Sequence, residues 1–305
     1  MSIIQTTDAS VPLASNAGWN DVAPVPQDDG PSPVVPIAYA ADFRETMDYF
    51  RAVQLSNEHS LRTLALTERV ISFNAANYTA WHFRRAVLET LNMALDDELA
   101  FTEELCKQSP KNYQIWYHRR VLVERMGHAS EEKRFTAEVL DLDSKNYHAW
   151  AHRQWCVRRF GAFAGETAFT EALLQADVRN NSAWNHRWFV LLESSGGEVS
   201  RETWGQEAAF AMARADEALH NECPYNYVRG VARRSGLTLA GFPFVGAWAH
   251  KRAREQAVVV VPLSALLVDV LEAAQRNREA AELCGVLAEA DAVRARYWER
   301  RASLL

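Results

Sequence analysis

The residues of this chain best suited to chemistry recur at fixed intervals. His148, His152 and Cys156 fall at i, i+4 and i+8, a spacing that could line one helical face with metal ligands. Yet His also stands two places after Trp at His118, His152 and His186, as a structural repeat position does, and no Glu completes an H-E-x-x-H motif. The repeated Arg84, Arg119, Arg153 and Arg187 could hold anions, but a recurring residue is first of all architectural, and stacking or capping is the simpler role. No G-x-S-x-G elbow, activated Cys or glycine-rich phosphate loop is present in the sequence. Lys111, Lys145 and Arg179 each precede an Asn that opens a helical pattern. Positive side chains beside outward-pointing amides make an anion-attracting rim, although each lysine alone is ordinarily just a solvated charge.

The elements that position these residues follow from an internal repeat. Asn77-Tyr78-Thr79-Ala80-Trp81-His82-Phe83-Arg84-Arg85 is echoed from Asn112, Asn146 and Asn180, and the tryptophans Trp81, Trp116, Trp150 and Trp184 are 35, 34 and 34 residues apart. A fifth, degenerate copy begins at Asn221, with Tyr225 in the Trp place and Val228 where Arg would stand. Such a period fits two helices and two turns. The Asn is suited to cap the second helix, and the Trp to fill the layer between hairpins. The first helices carry stripes such as Leu99, Phe101, Leu105 and Phe135, Val139, Leu142. One hairpin cannot bury its apolar face alone, so the expected fold is all-α, a right-handed superhelical solenoid of helical hairpins.

Before the repeats, Pro24, Pro26, Pro31, Pro33 and Pro36 imply an extended arm over residues 1–41, partly disordered and non-helical from Val11 to Pro36; one repeat domain is expected over 42–305. Helical pairs are expected over Pro262 to Asn277 and Glu279 to Leu304, and Val258 to Val261 is the one strand-like patch. The 305 residues include 48% hydrophobic side chains and ten Trp, an aromatic-rich globular composition. A net charge of −6 argues against general nucleic-acid binding. Four dispersed Cys and no stretch of membrane-spanning length indicate a cytoplasmic chain without a membrane span.

The N-Y-x-x-W-x-x-R-[RQ] units resemble the repeats of protein prenyltransferase α subunits, in the branch shared by protein farnesyltransferase and protein geranylgeranyltransferase type I. The arm from Trp19 to Val35 and the run Asp42-Phe43-Arg44 to Tyr49-Phe50-Arg51-Ala52-Val53 are similar to that family's lead-in and first helix, so the resemblance extends from about Trp19 to near Arg301. Asn181 in the usual Tyr place and the fifth copy depart from it.

The resemblance implies a subunit that embraces a β subunit in an obligate heterodimer acting on a prenyl diphosphate and a C-a-a-X protein. It also implies zinc on β, magnesium for the complex, and no cofactor on this chain alone. It assigns Lys145 and Tyr147 to catalysis, and His148, Asn180 and Tyr113 to substrate binding. The Rab-type α subunit and a non-catalytic helical-repeat adaptor are the other readings.

Overall fold

The computed structural model describes residues 11–305; the first ten positions of the expected arm lie outside the described residues. Among the described residues all regular elements are helical: fifteen α-helices and four short 3₁₀ turns. The chain divides into two compact units, Met1–Arg153 and Gln154–Leu305.

The first unit holds α1 (Ala41–Leu55), α2 (Leu61–Phe73), α3 (Tyr78–Thr90), α4 (Leu95–Gln108), α5 (Tyr113–Met126) and α6 (Glu132–Leu142), and α7 (Tyr147–Phe160) begins in it. Each second helix starts where the Asn stands. Asn77 Oδ1 accepts from Ala80 N, Asn112 Oδ1 from Gln114 N and Ile115 N, and Asn146 Oδ1 from Ala149 N. These bonds satisfy amides that the helix itself leaves orphaned. Gly127 ends α5 in the left-handed region, at φ 75°, where a side chain would be strained.

The repeat tryptophans are buried, and each indole N–H donates to the carbonyl six residues earlier: Trp81 to Ala75, Trp116 to Pro110 and Trp150 to Ser144, all at 2.9 Å. The ring therefore fills the core while its polar edge closes the turn ahead of its helix. Beneath it lies a buried ionic network. Arg84 forks onto Glu98 at 2.6 and 2.7 Å, and His118 Nε2 reaches the same carboxylate at 2.7 Å. Arg119, Glu132 and His152 repeat this arrangement at 2.8, 2.7 and 2.6 Å. Each Arg also lies over a Phe ring, Arg84 on Phe101 and Arg119 on Phe135, and donates through Nη1 to a helix carbonyl and a Thr hydroxyl of the preceding helix. The stacking expected of the arginines is thus present, joined to an ion pair instead of a cap.

The second unit contains α8 (Glu166–Ala176), α9 (Asn181–Ser194), α10 (Arg201–Glu217), α11 (Glu222–Arg234), α12 (Pro243–Glu255), α13 (Val261–Ala273), α14 (Asn277–Ala290) and α15 (Ala295–Ala302). His186 meets Glu166 at 2.7 Å, and Arg187 forks onto Glu207 at 2.8 and 2.6 Å. In the degenerate fifth copy the bonds survive the change of residue. Tyr225 OH donates to Leu219 O, again six residues back, at 2.8 Å, and Tyr227 OH takes the His role on Glu207 at 2.6 Å. Val228 replaces the Arg, and Ala211 occupies the place of its Thr partner; both are fully buried. Donor and acceptor are lost together, so neither is left buried without its partner.

Three local expectations are corrected. The arm is not extended throughout: Leu13–Ser15 and Ala17–Trp19 form 3₁₀ turns, because Asn16 accepts from Gly18 N and because Leu13 and Trp19 are buried. Val258 to Val261 is not a strand; Val260 precedes α13, and Pro262, lacking an N–H, suits a first helical turn. Leu142 closes α6 largely exposed, past the point where its apolar stripe leaves the core.

Candidate functional site

In the first unit the mouths of α5 and α7 lie side by side, joined at one carbonyl. Pro110 O accepts the Trp116 indole at 2.9 Å and the Asn146 side-chain amide at 3.2 Å, so the cap of α7 is anchored to the turn before α5. This bond brings four of the residues singled out in the sequence, Tyr113, Lys145, Tyr147 and His148, onto adjacent helix starts.

His148 is half-buried. Its ring stands edge-on to Tyr113 at 4.3 Å and lies nearly parallel to Trp116, at 11° and 6.2 Å. Burial lowers its pKa below the ordinary histidine value against a backbone hydrogen bond at Lys111, so the ring is neutral at pH 7. Tyr147 meets the same imidazole at 5.4 Å, and the rings of Tyr113 and Tyr147 are both about two-thirds exposed.

Lys145 is exposed, one residue ahead of the Asn146 cap. Asp143 controls its neighbourhood: Oδ1 accepts from Lys145 N at 3.2 Å, while Oδ2 lies 3.3 Å from Lys111 Nζ. No motif singles out Asp143, although Asn74 and Asp177 hold the same turn in other repeats by accepting from Ala76 N and Arg179 N. A cation, two phenols and a neutral imidazole thus border the first turn of α7, an arrangement suited to an anion with several acceptor oxygens.

Asn180 belongs to the second unit and is nearly fully buried. Its Oδ1 accepts from Ser182 N and Ala183 N, the bonds of a helix cap. Of the histidines first weighed as metal ligands, His148 and His152, the second has its Nε2 engaged with Glu132, as the other repeat histidines His118 and His186 have theirs with Glu98 and Glu166. Burial holds His118 and His152 below the usual pKa, so both are neutral.

The buried glutamates, too, lie outside the motif that marks the second helices. Glu98, Glu132 and Glu166 recur every 34 residues, and Glu207 follows after 41 because it stands well inside α10, whereas Glu132 and Glu166 open α6 and α8. That period was available as a signal.

Comparison with known proteins agrees with this repeat. A family model described as protein prenyltransferase alpha subunit repeat matches residues 61–91, 95–126, 129–160 and 163–194. A 92-residue stretch is 60% identical to the protein farnesyltransferase/geranylgeranyltransferase type-1 subunit alpha of Arabidopsis thaliana, covering 30% of this chain and 28% of that protein. The protein of the same description from Solanum lycopersicum is 54% identical over 99 residues, covering 32% and 29%. These matches span less than a third of either relative's length. A chain of Candida albicans protein geranylgeranyltransferase-I complexed with GGPP superposes with a TM-score of 0.83 at 25% identity, covering 95% of this chain and 99% of that one.

Proposed function

Because the chain belongs to the protein prenyltransferase alpha subunit family, we propose that it is the α subunit of a heterodimeric protein prenyltransferase of the farnesyltransferase/geranylgeranyltransferase type I kind. The pair transfers an isoprenoid from a prenyl diphosphate to the Cys of a C-terminal C-a-a-X motif. Its β subunit brings zinc and the lipid pocket, and magnesium serves the complex. The heterodimer is cytoplasmic; no helix among the described residues is long and apolar enough to cross a membrane.

The observation that carries this reading is the mouth of α7, where Lys145 and Tyr147 stand exposed on either side of the Asn146 cap. In the reaction the acceptor thiolate forms a bond to C1 of the prenyl chain as the C–O bond to diphosphate breaks. Negative charge then grows on the leaving oxygens. Lys145 stabilises that charge more in the transition state than in the ground state, and Tyr147 adds a hydroxyl donor. Neutral His148, held against Tyr113 and Trp116, offers a ring nitrogen to the acceptor peptide, with Tyr113 as its aromatic wall. Asn180 acts by keeping the first turn of α9 in place. Zinc, when bound by the partner, lowers the pKa of the acceptor thiol.

The test is co-expression with a β subunit from the same genome. Removing one such charge-stabilising donor costs about 2.7–4 kcal/mol, so Lys145→Ala should lower kcat by roughly 100- to 1,000-fold while heterodimer assembly and Tm are unchanged. A wild-type rate from Lys145→Ala removes Lys145 from catalysis. Failure of any β subunit to associate overturns the proposal as a whole.

A further inference from the structure

In the second unit, the groove between α9 and α11 departs from the repeat on both of its walls. Four residues after the repeat aromatic the other hairpins carry Arg85, Arg120, Gln154 and Arg229, whereas α9 carries Trp188. Across from it, Gly230 sits in the middle of α11, where glycine weakens a helix by roughly 0.5–1 kcal/mol relative to alanine. Close packing does not demand it. A Cβ at Gly230 would meet the Trp188 ring at 3.5 to 3.9 Å, which is ordinary contact. What the missing side chain does is leave the outer edge of the half-buried Trp188 ring open to the groove.

The result is a groove of about 500 Å³ with Trp184, Trp188 and Tyr227 among its lining residues. Trp188 is fixed by edge-on contact with Tyr227 at 5.5 Å and by Trp204 at 5.9 Å, so the aromatic surface is preformed. Arg233 and Arg234, both exposed, line the groove together with neutral amides, and no Asp or Glu lines it. Cations in the last turn of a helix are favourable by themselves. Beside a half-buried indole, in a chain of net charge −6, they make a local positive rim around an apolar floor.

We infer that this groove anchors an apolar side chain flanked by Asp or Glu on the partner polypeptide. The inference rests on the reading of the chain as one half of a heterodimer. The aromatic floor takes up the apolar side chain, and the arginines select its acidic neighbours and speed encounter.

The experiment uses the full chain and the β subunit recovered by co-expression. Gly230→Leu fills the groove with a better helix former, and the pair Arg233→Glu and Arg234→Glu reverses its rim. Heterodimer Kd is measured by titration at low and high salt, with thermal melting of the free chain as the folding control. Loss of a central anchor should raise Kd at least about tenfold for Gly230→Leu, and charge reversal should raise it mainly at low salt. An unchanged Kd in both variants overturns the inference and leaves the proposed function standing. Failure of the wild-type chain to bind the subunit overturns both. If geranylgeranyl diphosphate occupies the groove while partner affinity is untouched by either variant, the groove takes a small amphiphile and the inference is wrong.

Discussion

Arg119 and Glu132 meet as a buried two-pronged pair, Nε to Oε2 at 2.8 Å and Nη2 to Oε1 at 2.7 Å, with His152 Nε2 on the same carboxylate at 2.6 Å. The carboxylate sits on α6 and its partners on α5 and α7, so one side chain ties three consecutive helices. Breaking such a pair from one side strands a charge in the core. Glu132→Leu or Arg119→Met alone should therefore cost about 3–5 kcal/mol, measured by urea unfolding. The double variant should cost less than either single change, and a simple sum of the two losses would show that the groups act independently.

Acid should loosen the chain in two stages. Burial raises the Glu98 carboxyl, but the Arg84 charge and the His118 hydrogen bond outweigh it and leave the group at about 2; Glu132, under His152 and Arg119, also lies at about 2. Burial lowers His118 and His152 below 6.5. For all four groups the unfolded chain binds protons first as pH falls, so their stability contribution is complete above pH 6.5. It declines first through the histidines, then below 4.5 through the glutamates as pH approaches their folded values. Urea midpoints should fall steadily from pH 7 downward, and a midpoint that rises between about pH 6 and pH 4 contradicts this account.

Much of this architecture was legible because the hairpin's needs are local. A cap must be Asn at one place, a large ring must fill one layer, and both leave a period in the sequence. The glutamates were harder to read because an acidic residue near a helix start, such as Glu98 on α4 or Glu132 on α6, looks like an ordinary exposed first-turn charge. Only the packing of the neighbouring second helices buries them. Leu142 failed in the opposite sense, since a stripe of apolar residues does not say where it leaves the core. At the site, Lys145 and Tyr147 were recognisable as exposed types, but the role of Asp143 depends on two lysines from different repeats meeting one carboxylate.

Tyr225 shows which part of the repeat tryptophan is indispensable to the turn. Its hydroxyl makes the same bond to a carbonyl six residues back that the indoles make, at 2.8 Å. Tyr225→Phe keeps the ring and leaves Leu219 O without its donor, so the chain should lose about 1–3 kcal/mol. An unchanged Tm would mean that the turn holds without it.

The N-terminal arm is fastened by Trp19, which is buried edge-on against Tyr49 at 5.4 Å under the Arg62 guanidinium at 5.1 Å. Arg62 also pairs with Asp21 at 2.6 Å, and Val25 N donates to Asp48 O at 3.0 Å. Trp19→Ala removes the only large ring the segment Leu13–Asn20 buries, a loss of about 3–5 kcal/mol, larger than an exposed arm can recover from its remaining bonds. Protease cleavage between Asn20 and Tyr39 should become at least about tenfold faster while the repeat helices keep their far-UV signal. Unaltered cleavage would show that the arm is held elsewhere.

Asp143 separates placement of the Lys145 cation from its charge. It accepts from the Lys145 amide and faces Lys111 at 3.3 Å, so Asp143→Ala keeps both positive charges on the chain but releases the turn that aims the Lys145 cation and the contact that holds Lys111. On the proposal that Lys145 serves the diphosphate, a looser cation still attracts that group, so KM should change little, but it stabilises the transition state less well, so kcat should fall by about three- to tenfold, far short of Lys145→Ala. Asp143→Asn keeps the oxygen that accepts from Lys145 N and should restore most of the rate. If Asn behaves like Ala, the ionic contact with Lys111 matters and the turn does not; if neither variant changes kcat, Asp143 has no part in positioning Lys145.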